Sequence, residues 1–193
     1  PGTRFGSRAI RSESYGLESY SPYQDRDLTD YAVFDAGDQE LCFGDASLAL
    51  KDLRERAAEV AGDGKIPFML GGEHLVTLAP VQALAEKYPD LHIIHFDAHA
   101  DLRDDYLGAK LSHACVLRRC WEVLEDGRIT QFGIRSGDRE EWRWGKEHVT
   151  THPFIVDMEV LQETLRKLEG KPVYFTLDLD VLDPSVFPGT GTP

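Results

Sequence analysis

The sequence predicts an α/β fold, a three-layer αβα sandwich around a mainly parallel, doubly wound sheet. Short apolar segments rich in β-branched and aromatic residues alternate along the chain with longer segments of helical periodicity. This alternation implies right-handed βαβ units whose helices cover both faces of the sheet. Acidic and histidine side chains follow directly after several apolar segments. Ligands bind beyond the carboxyl ends of strands in such sheets, so these side chains stand where a functional site is expected.

The first half of the chain contains two predicted helices and two predicted strands. Ser7 can cap the first helix, and Asp45 or Ser47 can cap the second. Residues 21–30 are polar and include a proline, which indicates a loop. The predicted elements are a helix over 7–17, a strand over 31–34, a helix from about 46 to 61, and a strand over 66–70.

The second half repeats the alternation with more regularity. A helix over about 76–87 ends before Pro89, and the apolar segment over 91–96 that follows is the central strand of the prediction. The remaining predicted elements are a helix over 113–124, a strand over 129–134, a helix containing Trp142 and Trp144, a weak strand near 149 with 155–156 next, a helix over 158–168, and a strand over 173–177.

Length and composition predict one globular domain, over residues 1–193. We expect this domain to be incomplete at both ends, because a helix begins close to the first residue and the last strand lacks the helix that should cover it. Three cysteines, an odd number without a Cys-x-x-Cys pair, favour reduced thiols and a cytoplasmic location. A formal charge of −13 disfavours nucleic acid and is compatible with a cationic partner. We find no segment typical of a membrane span or a signal peptide, and we expect no membrane partner.

Three clusters of metal-binding residue types follow three apolar segments. Asp97, His99 and Asp101 alternate after the central strand, and residues two apart share one face of an extended chain. Asp178 and Asp180 have the same spacing after the last strand, and the sequence Gly-Gly-Glu-His ends in a histidine at position 74. One such cluster is equally compatible with a polar strand end. Three that converge predict a two-metal site, for which Mn²⁺ or Fe²⁺ suits the oxygen and imidazole donors.

The motifs together resemble those of the ureohydrolase family, which includes arginase and agmatinase. The resemblance covers nearly the whole chain, and the motifs occur in the family's order. They are Gly-Gly-Glu-His at 71–74, Phe-Asp-Ala-His-Ala-Asp at 96–101, Ser-His at 112–113, Asp-Leu-Asp-x-x-Asp-Pro at 178–184, and Pro-Gly-Thr-Gly-Thr-Pro at 188–193. The polar stretch over 21–28 and the last motif are most similar to bacterial agmatinases. An arginase-like fold is therefore expected.

The resemblance implies two Mn²⁺ ions and a ligand set of six residues. His74 and Asp101 would bind one ion, His99 and Asp180 the other, and Asp97 and Asp178 both. His113 would carry a proton to the departing amine, although it can also be read as the first residue of a helix. The implied reaction cleaves agmatine to putrescine and urea, a step of polyamine biosynthesis, by attack of a metal-bridging hydroxide on the guanidinium carbon. Relatives of this kind are homo-oligomers, either trimers or hexamers.

Several alternatives stay open at the level of the sequence. Arginine or guanidinobutyrate would use the same metal site as agmatine. The acidic residue with which the family binds the guanidinium group belongs to a segment beyond residue 193, so an inactive metal-binding module is a further possibility. A two-metal phosphoesterase is disfavoured, because those enzymes typically use an Asn-His step and the sequence contains no asparagine.

Overall fold

The computed structural model describes residues 3–193; residues 1 and 2 of the predicted domain lie outside the described part. Six α-helices and six strands are described. The helices are α1 (Gly6–Ser14), α2 (Ala46–Gly62), α3 (Leu78–Lys87), α4 (Val116–Leu124), α5 (Arg139–His148) and α6 (Met158–Lys167). The strands are β1 (Tyr20–Ser21), β2 (Arg26–Asp27), β3 (His92–Phe96), β4 (Ile129–Ile134), β5 (Thr150–Pro153) and β6 (Val173–Leu177).

The central sheet has four parallel strands in the order β5-β4-β3-β6. From β3 the chain adds β4 and then β5 on one side, and α6 leads it back to β6 on the other side of β3. The strand order therefore reverses between β3 and β6, which is the topological switch point where open α/β sheets bind ligands. Because such crossovers are almost always right-handed, the reversal predicts that α6 lies on the face opposite α4 and α5.

The main core lies between the sheet and helices α2 to α5. Side chains from the inner faces of the helices meet alternate residues of β3, β4 and β6, and burial of this apolar surface is the chief favourable contribution to folding. Helix starts follow the expected capping chemistry: the Asp45 carboxylate accepts hydrogen bonds from the backbone N–H groups of Ser47 and Leu48. The buried members of this core are Leu50, Ala61, Leu75, Leu78, Ala79, Val81, Leu84, Leu91, Ile93, Ala100, Leu102, Val116, Leu117, Cys120, Ile129 and Ile134.

The predicted strands at 31–34 and 66–70 are wrong for the described chain, because neither segment is a strand. Ile66 and Phe68 are 92% and 87% exposed, and Phe34 is 88% exposed. An apolar segment does not form a strand by its composition alone, because its backbone must hydrogen bond to the N–H and C=O groups of a neighbouring strand. Within residues 3–193 neither segment has a ladder partner. The predicted loop over 21–30 instead includes a short antiparallel pair between β1 and β2.

No helix among the described residues is both long enough and apolar enough to cross a membrane.

Candidate metal centre

The pairing of β3 with β6 brings together the two strands that carry most of the predicted ligands. Phe96 pairs in register with Leu177, so Asp97 and Asp178, the next residue on each strand, leave the sheet side by side. The backbone N–H of Asp178 donates to the Phe96 carbonyl at 2.8 Å, which extends the ladder to this point. Both carboxylates therefore lie at the carboxyl end of the sheet, at its switch point.

The first group of side chains surrounds His74, at the start of a 3₁₀ turn over His74–Thr77. Its Nδ1 lies 3.1 Å from Asp97 Oδ2 and 3.1 Å from Asp101 Oδ2. Asp178 Oδ2 is 3.6 Å from the same nitrogen. One imidazole and three carboxylates thus meet within the reach of a single ion.

The second group surrounds His99. Its Nδ1 lies 2.9 Å from Asp180 Oδ2 and 3.5 Å from Asp97 Oδ1. The two oxygens of Asp97 consequently face different groups, one toward His74 and one toward His99. The structure brings the six predicted ligands into two adjoining groups that share Asp97. Asp178, expected to reach both ions, lies with the group of His74, and that any of the six binds metal stays a prediction.

Backbone hydrogen bonds orient the carboxylates of these groups. Asp97 Oδ1 accepts from the His99 N–H at 2.6 Å, and Asp180 Oδ1 accepts from the Ala98 N–H at 3.0 Å. Asp178 Oδ1 accepts from the Asp180 N–H at 3.0 Å, as the cap of a short 3₁₀ turn. In each of these three carboxylates one oxygen accepts a backbone hydrogen bond, and a further lone pair remains available to the centre. Hydrogen-bond donors that do not themselves bind the metal orient the side chains that do.

Asp101 occupies a backbone conformation that few non-glycine residues adopt. Its φ is +54°, in the left-handed region. The Asp101 carbonyl accepts from the backbone N–H groups of Leu117 at 3.0 Å and Arg118 at 3.2 Å, in the first turn of α4. The start of α4 therefore stabilises the strained residue and keeps its carboxylate beside His74. Strain of this kind concentrates at functional sites.

A buried nitrogen at the centre provides a test of whether a cation fits. His74 Nδ1 is buried and receives no hydrogen bond of acceptable geometry from the described residues, although two carboxylate oxygens lie 3.1 Å away. The other ring nitrogen, Nε2, contacts Thr176 Oγ1 at 3.1 Å. In the neutral ring that a metal would bind, with the proton on Nε2 donated to this hydroxyl, Nδ1 has a free lone pair directed at the carboxylates. A cation between them would satisfy both partners, so the donor set fits a metal ion.

The charges of the group shift several pKa values in the metal-free chain. Burial lowers the pKa of His74, but the carboxylates of Asp101 and Asp97 outweigh it and raise this pKa to about 10. The hydrogen bond with Asp180, followed by that with Asp97, raises the pKa of His99 to about 10. Burial opposes ionisation of Asp97, yet its histidine partners hold its pKa well below the usual range. Burial raises the pKa of Asp178.

His113 lies beside these groups, on a second 3₁₀ turn that packs against the turn of His74. Its side chain is about half exposed, with Nδ1 3.4 Å from Glu73 Oε1. The ring of Tyr106 meets the imidazole edge-on, with centroids 5.4 Å apart. The structure therefore places His113 at the rim of the site, where a proton carrier can reach both a substrate and solvent; its catalytic role stays a prediction.

Two polar residues that sequence reasoning missed lie beneath the site. Thr176 is buried in β6 and hydrogen bonds to His74, and Gln131 is buried in β4 and hydrogen bonds to His95. The available signal was a polar side chain inside an otherwise apolar strand, because buried polar groups are nearly always hydrogen bonded. His95, which alternates with the predicted ligands, is a fully buried histidine with both ring nitrogens hydrogen bonded.

Comparison with known proteins identifies the family. The model of the arginase family matches residues 1–193. The chain belongs to the arginase family. A curated relative from this family, the agmatinase of Bacillus subtilis (strain 168), is 50% identical over 192 residues, covering 100% of this chain and 66% of the relative. The chain thus spans 66% of the length of the curated agmatinase it matches.

Solved structures of the arginase family share the fold. A crystal structure of a Clostridium difficile protein has a TM-score of 0.94 and 48% identity, covering 100% of this chain and 70% of that one. The agmatine ureohydrolase of Thermoplasma volcanium has a TM-score of 0.85 and 35% identity, covering 98% of this chain and 65% of that one. The predicted family and the predicted fold class are confirmed.

Proposed function

We propose that the protein is a binuclear manganese hydrolase that cleaves agmatine to putrescine and urea, and so takes part in polyamine biosynthesis. The observation that carries this proposal is the pair of adjoining groups around His74 and His99, joined by Asp97 at the switch point of the sheet. We further propose that it acts in the cytoplasm as a homo-oligomer, either a trimer or a hexamer, as the resemblance to agmatinases implies.

The donor set favours two divalent ions. His74 and Asp101 would hold one ion, His99 and Asp180 the other, and Asp97 and Asp178 both. The four carboxylates carry four negative charges, which two divalent ions would neutralise. Without a compensating charge, the two buried carboxylates, Asp97 and Asp101, would be costly. The donors are oxygen and imidazole, which suit Mn²⁺, and no cysteine belongs to either group.

When bound, a pair of divalent ions supplies the positive charge that activates a water for attack on a poor electrophile such as a guanidinium carbon. The residues of this chain provide the rest. Asp97 and Asp178 are held in orientation by hydrogen bonds from the backbone N–H groups of His99 and Asp180. His113, at the rim, would donate its proton to the departing amine and would then take another proton from solvent. The formal net charge of −13 is compatible with a cationic substrate.

Agmatine is chosen over arginine and guanidinobutyrate on the similarity to agmatinases, since all three compounds would use the same centre. The test is urea release by the whole protein, supplied with Mn²⁺ and each compound in turn. We expect turnover with agmatine preferred. A preference for arginine or guanidinobutyrate would overturn the proposed substrate, and no urea from any of them would favour an inactive metal-binding module.

Matched variants connect this activity to the centre. Asp97→Asn removes the charge shared by the two groups and should abolish both Mn²⁺ binding and urea release. Asp126→Asn removes an aspartate that pairs with His148 away from the site, and should leave both unchanged. Retained activity in Asp97→Asn would contradict the assigned centre.

A further inference from the structure

A row of polar side chains crosses the sheet directly beneath the candidate metal centre. Thr151, Gln131, His95 and Thr176 are register partners on β5, β4, β3 and β6. Gln131 and His95 are fully buried and Thr176 is 7% exposed. The buried polar side chains of this row are costly unless each is hydrogen bonded. Their partners indicate what they do.

The orientation of the Gln131 amide follows from its contacts. Its Nε2 lies 2.7 Å from the Ala100 carbonyl oxygen, which can only accept a hydrogen bond. The amide nitrogen, with its two N–H groups, must therefore face this carbonyl. The same nitrogen lies 3.0 Å from His95 Nδ1. At the other end of the side chain, the Thr151 hydroxyl donates to Gln131 Oε1 at 3.2 Å.

This orientation determines which nitrogen of His95 carries the proton. Because Gln131 donates to Nδ1, that nitrogen is the acceptor, and Nε2 carries the hydrogen in the neutral ring. His95 Nε2 lies 2.9 Å from Asp97 Oδ2. His95 is thereby a hydrogen-bond donor to the oxygen of Asp97 that faces His74. With the His99 N–H on Oδ1 at 2.6 Å, each oxygen of Asp97 has one fixed donor and keeps a lone pair for the centre.

The second hydrogen bond of Gln131 fixes a different part of the centre. The Ala100 carbonyl belongs to the peptide group that joins Ala100 to Asp101, and Ala100 is one residue from each of two other predicted ligands, His99 and Asp101. A single buried amide therefore acts on three of the six: on Asp97 through His95, and on His99 and Asp101 through the backbone. We propose that Gln131 is a positioning residue of the metal centre, which keeps His95 as a donor to Asp97 and fixes the peptide at Ala100.

The inference rests on the proposed metal centre and is tested first by metal binding rather than by turnover. Gln131→Met keeps the volume of the side chain and removes both donors. We expect the Mn²⁺ affinity of the whole protein to fall about 10- to 100-fold, the range typical of partners outside the ligand set. Titration calorimetry gives the affinity, and the exchange-coupled Mn²⁺ pair signal in electron paramagnetic resonance should weaken as single-ion signal appears.

The far end of the polar row provides the matched control. Thr151→Val removes the hydroxyl that donates to Gln131 Oε1 but leaves both Gln131 donors in place, so we expect an Mn²⁺ affinity within about threefold of the unmodified protein. His95→Phe should weaken binding as Gln131→Met does. Because Gln131 acts partly through His95, the double variant should lose less affinity than the product of the two single losses.

The outcomes separate this inference from the proposed function. If the unmodified protein binds no Mn²⁺ pair, the proposed centre fails. If it binds the pair and folded Gln131→Met binds it equally well, the positioning role fails, and Gln131 only stabilises the fold. Should Gln131→Met not fold, Gln131→Glu replaces it, because a carboxyl offers at most one donor where the amide offers two. An unchanged Mn²⁺ affinity in that variant would overturn the inference.

Discussion

Loading the metal-free protein with divalent ions should release protons, because His74 and His99 hold protons that a metal-bound nitrogen cannot keep. The pKa of each is raised to about 10 by its carboxylate neighbours. At about pH 7.5 the neutral form of each imidazole is then only about one part in 300. Asp97, whose pKa is lowered, is already ionised and releases nothing.

The magnitude follows from these two groups. Each of the two ions should displace about one proton, and the affinity of each site should rise about tenfold for each pH unit until the pH approaches about 10. Calorimetric titration with Mn²⁺ under anaerobic conditions, in buffers of different ionisation enthalpy, counts the protons. About two protons are expected for two ions. A count near zero, or an affinity that does not change with pH, would refute the reasoning.

The variant His148→Ala is the control for the proton count. His148 also contacts an aspartate, with Nδ1 2.8 Å from Asp126, but it lies outside the centre. Its removal should leave the count at two. A lower count would show that the protons come from surface histidines.

The same pKa shifts bear on the stability of the metal-free protein. The folded-state pKa values of His74 and His99 are above the ordinary value of 6.5. Their contribution to folding stability is therefore fully present below about pH 6.5 and is lost as the pH rises toward about 10. Metal binding strengthens over the same interval, so the rise in melting temperature caused by Mn²⁺ should grow with pH.

Three further substitutions test other parts of the site. Gly133→Ala places a Cβ 2.6 Å from Val181 Cγ2 at a φ of +86°, and should lower the free energy of unfolding by about 2 to 4 kcal/mol in denaturant titrations. Arg135→Lys removes a guanidinium that donates to the Asp180 carbonyl at 2.7 Å, and should weaken Mn²⁺ binding about tenfold by calorimetry. His113→Phe should lower kcat for urea release by about 10²- to 10⁴-fold at unchanged metal content.

Each of these substitutions has a control elsewhere in the chain. Gly62→Ala adds a methyl group with no atom within 4 Å and should not destabilise the fold. Arg139→Lys changes an arginine in the first turn of α5 and should leave metal binding intact. His148→Phe should keep the unmodified kcat. If a test variant and its control had equal effects, the structural reason given for that substitution would be wrong.

Sequence patterns predicted those elements whose ends are determined by residues close to them in the sequence. The ends of β3 and β6 were predictable because an apolar segment stops at an aspartate, and the following aspartate keeps the same parity. The start of α2 was predictable from Asp45, because a cap is made within one turn. These predictions needed only interactions between residues close in sequence.

Other features depend on partners that a local pattern does not reveal. Segment 66–70 has the composition of a strand, but a ladder needs a neighbour, and the described residues provide none. The role of Gln131 depends on its register with His95, which is 36 residues away. The left-handed φ of Asp101 depends on the two N–H groups that α4 presents to its carbonyl. In each case the missing information is a long-range contact.

The register between β3 and β6 specifies the metal centre and the sheet together. Pairing of Phe96 with Leu177 places Asp97 beside Asp178, and the Ala98 N–H then donates to the Asp180 carboxylate at 3.0 Å. A slip of one residue would turn the side chains of one strand to the opposite face and would separate Asp97 from Asp178. The buried side chains of β3 and the buried Thr176 of β6 oppose such a slip. The burial that stabilises the fold therefore also keeps residues about 80 positions apart within reach of the same pair of ions.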